Sequence, residues 1–217
     1  MSSVESKVSL PLNSAYASSK HGIAGFVDGL RRELMHEGAP VSVTNVMPGT
    51  INTPFFNNAR TKIGVKPQGP PPIYQPKVVA DVILYAAEHP VRDMVAGGAA
   101  KVMILGQTFA PGFMDALLST DRFGFQTQKT NEPKSVDGPN NFYAPVEGED
   151  RTEGDFSHKA KAYSLYDRLQ MRGAVGTVLV GGALGAAALL LARAYGGNGS
   201  KPSLRHQTAA GRSLIKG

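Results

Sequence analysis

The sequence predicts an α/β fold over residues 1–119, from two amphipathic helical patterns and two short candidate strands that alternate with them. From Ala15 to Glu37, Ile23, Phe26, Val27, Leu30 and Leu34 fall at helical spacing, with polar Arg31, Arg32 and Glu33 beside the stripe. Gly38 is a suitable stop. Val41, Val43, Thr44 and Val46 then form a short apolar run between Pro40 and Pro48-Gly49, which reads as a buried strand. Pro76 to His89 is a second helical pattern, with Val78, Val79, Val82, Ile83, Tyr85 and Ala86 directed inward. Residues 91–96 suit a second strand, followed by helical material to about Leu118. Within that stretch, residues 101–106 (KVMILG) fit a strand or a helix by periodicity alone.

Between these elements, residues 54–76 are rich in Pro, Asn and Gly and are too irregular for a regular element. Residues 120–160 also lack apolar periodicity and are expected to form a flexible linker. Residues 161–217 complete the chain with a short helix within 158–172, an uncharged run and a basic tail. The run from Gly173 to Ala192 has twenty residues without a charge, long enough to cross a hydrocarbon core of about 30 Å. It also contains Gly181-x-x-x-Gly185, a spacing that lets membrane helices approach closely. The net charge of +6 is uneven: +2 over residues 1–119, −1 over 120–172 and +5 over 173–217. Basic charge confined to the tail suits an anionic membrane surface, and no nucleic-acid-binding motif is present. The five histidines show no ligand spacing, so no metal site is expected; the absence of cysteine excludes disulfides and thiol catalysis.

The chemistry is concentrated in the first twenty residues, MSSVESKVSLPLNSAYASSK. Ser3, Tyr16 and Lys20 stand at the spacing S-x12-Y-x3-K. Residues four apart on a helix share a face, so Tyr16 and Lys20 can meet. A lone Y-x-x-x-K is common in helices, but here it is flanked by paired serines, a Leu-Pro and an Ala-Ser-Ser. The segment resembles the active-site region of the short-chain dehydrogenase/reductase family. That resemblance implies the C-terminal part of a Rossmann-like, doubly wound parallel sheet and a helix in residues 101–106. It makes Tyr16 the general acid/base and Lys20 the group that lowers its pKa and holds the nicotinamide ribose. It makes Ser3 the hydrogen-bond donor to the substrate carbonyl. An unperturbed tyrosine titrates near 10, so the expected shift is toward neutrality.

A second motif, P-G-x-x-x-T at Pro48, Gly49 and Thr53, follows the first candidate strand. In parallel sheets ligands lie beyond the carboxyl ends of the strands. By the resemblance, Pro48 and Gly49 close the nicotinamide side, the Ile51 backbone meets the carboxamide, and Thr53 hydrogen-bonds the cofactor, NAD or NADP. Residues 54–76 take the place of the substrate lid, with Phe55, Phe56, Ile63 and Tyr74 lining an apolar pocket. The helix from Ala15 is one that often pairs with its counterpart in a homo-oligomer. No G-x-G-x-x-G follows a strand in these residues. The chain is therefore expected to be an incomplete fragment, lacking the dinucleotide-binding half and inactive as it stands. Two functions fit: NAD(P)-dependent interconversion of a carbonyl and an alcohol, on a small-molecule substrate that the lid aromatics suggest is apolar, or a non-enzymatic membrane-associated remnant of the same fold. No signal peptide is visible. The expected location is a membrane with the catalytic face in the cytoplasm, and the alternative is cytoplasmic.

Overall fold

The computed structural model describes residues 1–173 together with Gly176, Val178, Gly181, Gly182 and Gly185. The candidate membrane segment 173–192 and the basic tail thus lie almost wholly outside the described residues. Among the described residues, no helix is long and apolar enough to cross a membrane.

A 3-10 turn, Val4–Ser6, opens the chain and leads into helix α1, Ser14–His36. At the far end of α1, Gly38 turns to φ +66° and Ala39 N–H reaches back to the Leu34 carbonyl at 3.0 Å. The predicted apolar stripe is only half buried: Ala17 and Ala24 are the buried residues of α1, and Phe26 is 70% exposed.

Strand β1, Asn45–Pro48, starts later than the valine run suggests and is buried at all four positions. Strand β2, Thr50–Ile51, helix α2, Phe55–Asn58, strand β3, Val65–Pro67, and strand β4, Ile73–Tyr74, follow. Helix α3, Pro76–Glu88, starts on a proline, whose missing N–H costs nothing in a first turn. Strand β5, Asp93–Ala96, then leads to helices α4, Gly98–Phe109, and α5, Pro111–Leu118. Residues 101–106 are therefore helical.

β1 and β5 pair in parallel from Asn45 opposite Asp93 to Pro48 opposite Ala96. Both faces of this pair are covered, as expected for parallel strands. On one face Val79, Val82 and Ala86 of α3 pack with Val46, Met94 and Ala96. On the other, Val4 and Ala100 pack with Met47 and Val95, backed by Met103, Ile104 and Tyr166. β2 and β4 form a second parallel pair, Thr50 opposite Ile73 and Ile51 opposite Tyr74. The α/β character and the two-sided cover fit a Rossmann-like arrangement.

Residues 120–160, expected to be a linker, contain regular structure. A π-helical turn, Asp121–Phe125, and a 3-10 turn, Gln126–Gln128, run into strand β6, Lys129–Pro133, antiparallel to β3. Polar groups attach this stretch: Gln68 Nε2 donates to the Thr127 and Lys129 carbonyls at 3.2 and 3.0 Å, and Thr130 Oγ1 to the Lys66 carbonyl at 2.7 Å. Such pairing leaves no apolar period in the sequence. Helix α6, Leu165–Gln170, follows.

Candidate active site

The paired serines are fixed by the end of β1. Ser2 N–H donates to the Val46 carbonyl at 2.9 Å, and Ser2 Oγ donates to Asn45 Oδ1 at 2.6 Å. This hook places Ser3 at the cap of the first 3-10 turn, where its Oγ accepts from Glu5 N–H at 3.1 Å. Tyr16 lies in the first turn of α1, and the Ser3 side chain is near enough to its hydroxyl to lower its pKa. One turn on, the Lys20 ammonium stands 5.5 Å from the centre of the Tyr16 ring. The structure thus brings together all three residues singled out for proton transfer.

The electrostatics differ from expectation. Burial pushes the Tyr16 pKa above its ordinary value of 10.0; the Ser3 hydrogen bond opposes this, and the negative field of Glu5 adds to it. Glu5 itself is 7% exposed and, among the described residues, its carboxylate makes only long contacts, accepting from Asn13 Nδ2 at 3.3 Å and from Leu10 N–H at 3.5 Å. Desolvation raises its pKa to about 7.

Pro48 ends β1, and Gly49 N–H donates to the Ala96 carbonyl at 2.9 Å. Gly49, Thr50 and Val4, the residue after Ser3, border a small cavity of about 30 Å³, walled also by Leu10, Tyr74 and Met103. Ile51 lies in β2 and packs on the core. Thr53 N–H donates to the Ile51 carbonyl at 3.0 Å. The Thr53 hydroxyl and the Lys20 ammonium make no hydrogen bond to any described residue. Phe55 and Phe56 extend from Tyr16 as a chain of rings, with centroids at 6.0 and 5.2 Å, which ends on Phe156 at 6.1 Å.

Sequence reasoning missed three polar groups here. Asn52, fully buried between Ile51 and Thr53, donates from Nδ2 to Gln75 Oε1 at 3.1 Å and Ser157 Oγ at 2.9 Å, while its Oδ1 accepts from Phe156 N–H at 2.9 Å. Gly154 lies so close to this loop that an added Cβ would sit 2.5 Å from the Thr53 carbonyl oxygen. Asp167, 2% exposed, accepts from Gly97 N–H on both carboxylate oxygens at 2.9 and 3.1 Å. Gly97 has φ +102°, which a side chain would strain. Asp167 could have been found: Ser164 caps α6 by accepting from Asp167 N–H, an S-x-x-D signature. Glu5 carries no such signal.

Residues 1–64 match the family model for short chain dehydrogenases. An uncharacterized oxidoreductase of Bacillus subtilis, YxnA, is 37% identical over 125 residues, 57% of this chain and 35% of that protein. Dehydrogenase/reductase SDR family member 7B of Bos taurus is 36% identical over 125 residues, 55% of this chain and 38% of its own length. The family protein 7-like of Anopheles gambiae is 42% identical over 64 residues, 30% of this chain and 20% of its own. Over these residues the chain is similar to the short-chain dehydrogenase/reductase family. The chain spans between a third and two fifths of the length of the first two of these relatives. No solved structure matches it. The relatives' names, an oxidoreductase and dehydrogenase/reductases, do not distinguish NAD from NADP.

Proposed function

We propose that this chain carries the proton-transfer and nicotinamide-side residues of an NAD(P)-dependent oxidoreductase that interconverts a carbonyl and an alcohol. The observation that carries the proposal is the Ser3–Tyr16 hydroxyl pair with the Lys20 ammonium beside the ring. A carbonyl oxygen placed between the two hydroxyls would accept from both. Ser3 would hold and polarise it, and Tyr16 would deliver the proton as negative charge develops on oxygen. The hydride is the cofactor's to supply. Lys20 and Thr53 offer donors with no described protein partner, which suits the ribose and carboxamide end of a dinucleotide. Lys20 would also favour the phenolate formed when the proton leaves. The wall of Val4, Leu10 and Met103 favours an apolar substrate.

No Gly-rich strand–loop–helix stands in the 217 residues to bind the pyrophosphate. We therefore expect the polypeptide on its own to bind NAD(P)H poorly and to turn over little; calorimetric titration giving a micromolar dissociation constant would contradict this. The same feature supports a non-enzymatic remnant as a second function. The decisive experiment joins this chain to the dinucleotide-binding half of a relative and compares Tyr16→Phe with the unaltered sequence. A loss of 10²-fold or more in turnover, with cofactor binding retained, is the expected result. Retention of more than about a tenth of the turnover would reject Tyr16 as the acid/base.

We also propose membrane association through residues 173–192, on the uncharged run alone. A spanning helix would survive salt and alkaline carbonate washes, whereas attachment by the basic tail would be released by salt.

A further inference from the structure

The turn that leads into α1 is strained. Among the described residues, Leu12 is the one residue other than glycine with a positive φ, +67°. It stands third in the turn from Leu10 to Asn13, which Asn13 N–H closes on the Leu10 carbonyl at 3.3 Å, and Pro11 stands second. Turns with proline second and a positive φ third ordinarily take Gly or Asn there, because a Cβ crowds the next carbonyl. A residue in this region persists only where its surroundings hold it. Leu12 does not hold itself by burial, being 51% exposed.

The hold is on its two neighbours, and it comes from one side chain. Gln128 Nε2 donates to the Pro11 carbonyl at 2.8 Å, and Gln128 Oε1 accepts from Asn13 Nδ2 at 2.8 Å. Nε2 also donates to the Gly124 carbonyl, so both ends of the amide are used, and Gln128 is 4% exposed. The Pro11 and Gly124 carbonyls can only accept, which fixes the way the amide faces. The backbone comes close here too: a Cβ on Gly124 would lie 3.1 Å from Pro11 Cγ. From the turn, the contacts run to the site. The Asn13 carbonyl accepts the Ala17 N–H at 2.8 Å, at the start of α1. Asn13 Nδ2 also donates to Glu5 Oε1 at 3.3 Å, in the 3-10 turn that Ser3 caps. The turn therefore sets where α1 begins and how its first residues, Tyr16 among them, meet the turn that bears Ser3.

We propose that Gln128 is a positioning residue of the proton-transfer site: its buried amide clamps both flanks of the strained Leu12 turn and so sets where Tyr16 stands relative to Ser3. Without the clamp the turn relaxes from its positive φ, and the first turn of α1 moves with it. A residue 115 positions after Asn13 thus acts on the site through the start of one helix. The inference rests on the role given to Tyr16 above, but its test does not use turnover.

The test follows the 217-residue chain by NMR, with ¹³Cζ-tyrosine labelling and amide hydrogen exchange. Of the seven tyrosine signals, the one lost in Tyr16→Phe identifies Tyr16. In Gln128→Leu that signal should move, while Tyr85, on α3, keeps its place. The Ala17 amide should exchange at least tenfold faster, while Gly49 N–H, bonded to the Ala96 carbonyl, keeps its rate. Adding Leu12→Gly should restore both readings, because glycine holds a positive φ unaided. A general loss of packing around residue 128 would not be repaired at residue 12. An unmoved Tyr16 signal in Gln128→Leu overturns the proposal, and so does a failure of Leu12→Gly to restore it. If Gln128→Leu does not fold, the unaltered chain decides. In urea below its main transition, Ala17 N–H should open together with Gly124 N–H, which is bonded to the Thr120 carbonyl at 2.9 Å. An Ala17 amide that stays protected after Gly124 exchanges freely overturns the proposal. If Tyr16→Phe kept turnover in the joined enzyme while Gln128→Leu moved the Tyr16 signal, the acid/base assignment would fail and the clamp would stand.

Discussion

Residues 45–109 and residues 120–172 hold their places by opposite means. The first region is closed by aliphatic contact: Val82 and Ala96 have no exposure, and Val46, Val79 and Met94 surround them. The second lies over the first and is pinned by single polar groups, two of them buried: Asn52 to Phe156 and Ser157, Asp167 to Gly97, and the partly exposed Lys66–Asp155 pair. Apolar contact is non-directional and indifferent to pH and salt, whereas each polar pin is directional, and the charged ones respond to both. The loops at Asn52–Thr53 and at Gly97 lie where the two regions meet and are held by the outer one. Both loops are therefore ordered by interactions that solution conditions can weaken.

The largest effect is expected at Asn52. Asn52→Leu strands the Phe156 N–H and removes two further side-chain bonds. A loss of about 2–4 kcal/mol is expected. The loss should fall on the outer region, so limited proteolysis should cut within residues 130–160 while urea unfolding of the β1–β5 core changes little. If that core melts together with the outer segment, the two regions are one cooperative unit and the contrast fails.

The next effect concerns pH and the sign of the pins. Burial raises the Asp167 pKa from 3.8 to about 6 despite its bonds from Gly97 and Ser164. A raised acid binds its proton more tightly when folded, so this contribution is full below about pH 4 and is lost as pH rises through 6. It amounts to roughly 2–3 kcal/mol. Asp167→Asn should be more stable than the unaltered chain at pH 8 by roughly 1–3 kcal/mol and equal to it at pH 4, by urea midpoints at the two values. Asp155 runs the other way. The Lys66 ammonium holds its carboxyl well below the usual range, so its contribution is present at neutral pH and lost in acid.

The smallest effect is expected at that ion pair. Lys66 is mostly covered but Asp155 is about a third exposed. Lys66→Met should cost about 1 kcal/mol at low salt and less at 1 M salt, by thermal unfolding. An equal cost at both salt concentrations would show that the pair is shielded from solvent, which would sharpen its role as a buried pin.

What could be read from the sequence follows the same division. The helices and strands around β1 and β5 are visible because burial on a regular element repeats at 3.6 or at short apolar runs. Tyr16 and Lys20 are visible because their meeting is local, one turn apart on α1. The closeness of Ser3 comes only with the motif, since Ser2 must first hook onto Val46. Glu5, Asn52 and Gln128 show no trace: a buried polar residue resembles a surface one until its partner, often a hundred positions away, is known. β6 stayed hidden for a related reason, because it is half exposed and pairs through polar side chains.

Asn52 has a consequence for the order of synthesis. Its partners Phe156 and Ser157 lie more than a hundred residues later in the chain. Asp167 follows Gly97 by seventy. A nascent polypeptide emerging from the ribosome exposes Asn52, Thr53 and Gly97 well before any of these partners has been made. During that interval water must serve the amide and the Gly97 N–H, and the loop that carries Thr53 remains free to sample other conformations. The residues that fix the loop, Phe156, Ser157 and Asp167, leave the ribosome late. Assembly of the site therefore becomes a late event of translation, and chains cut short before residue 156 would carry Ser3, Tyr16 and Lys20 on a loop not yet set.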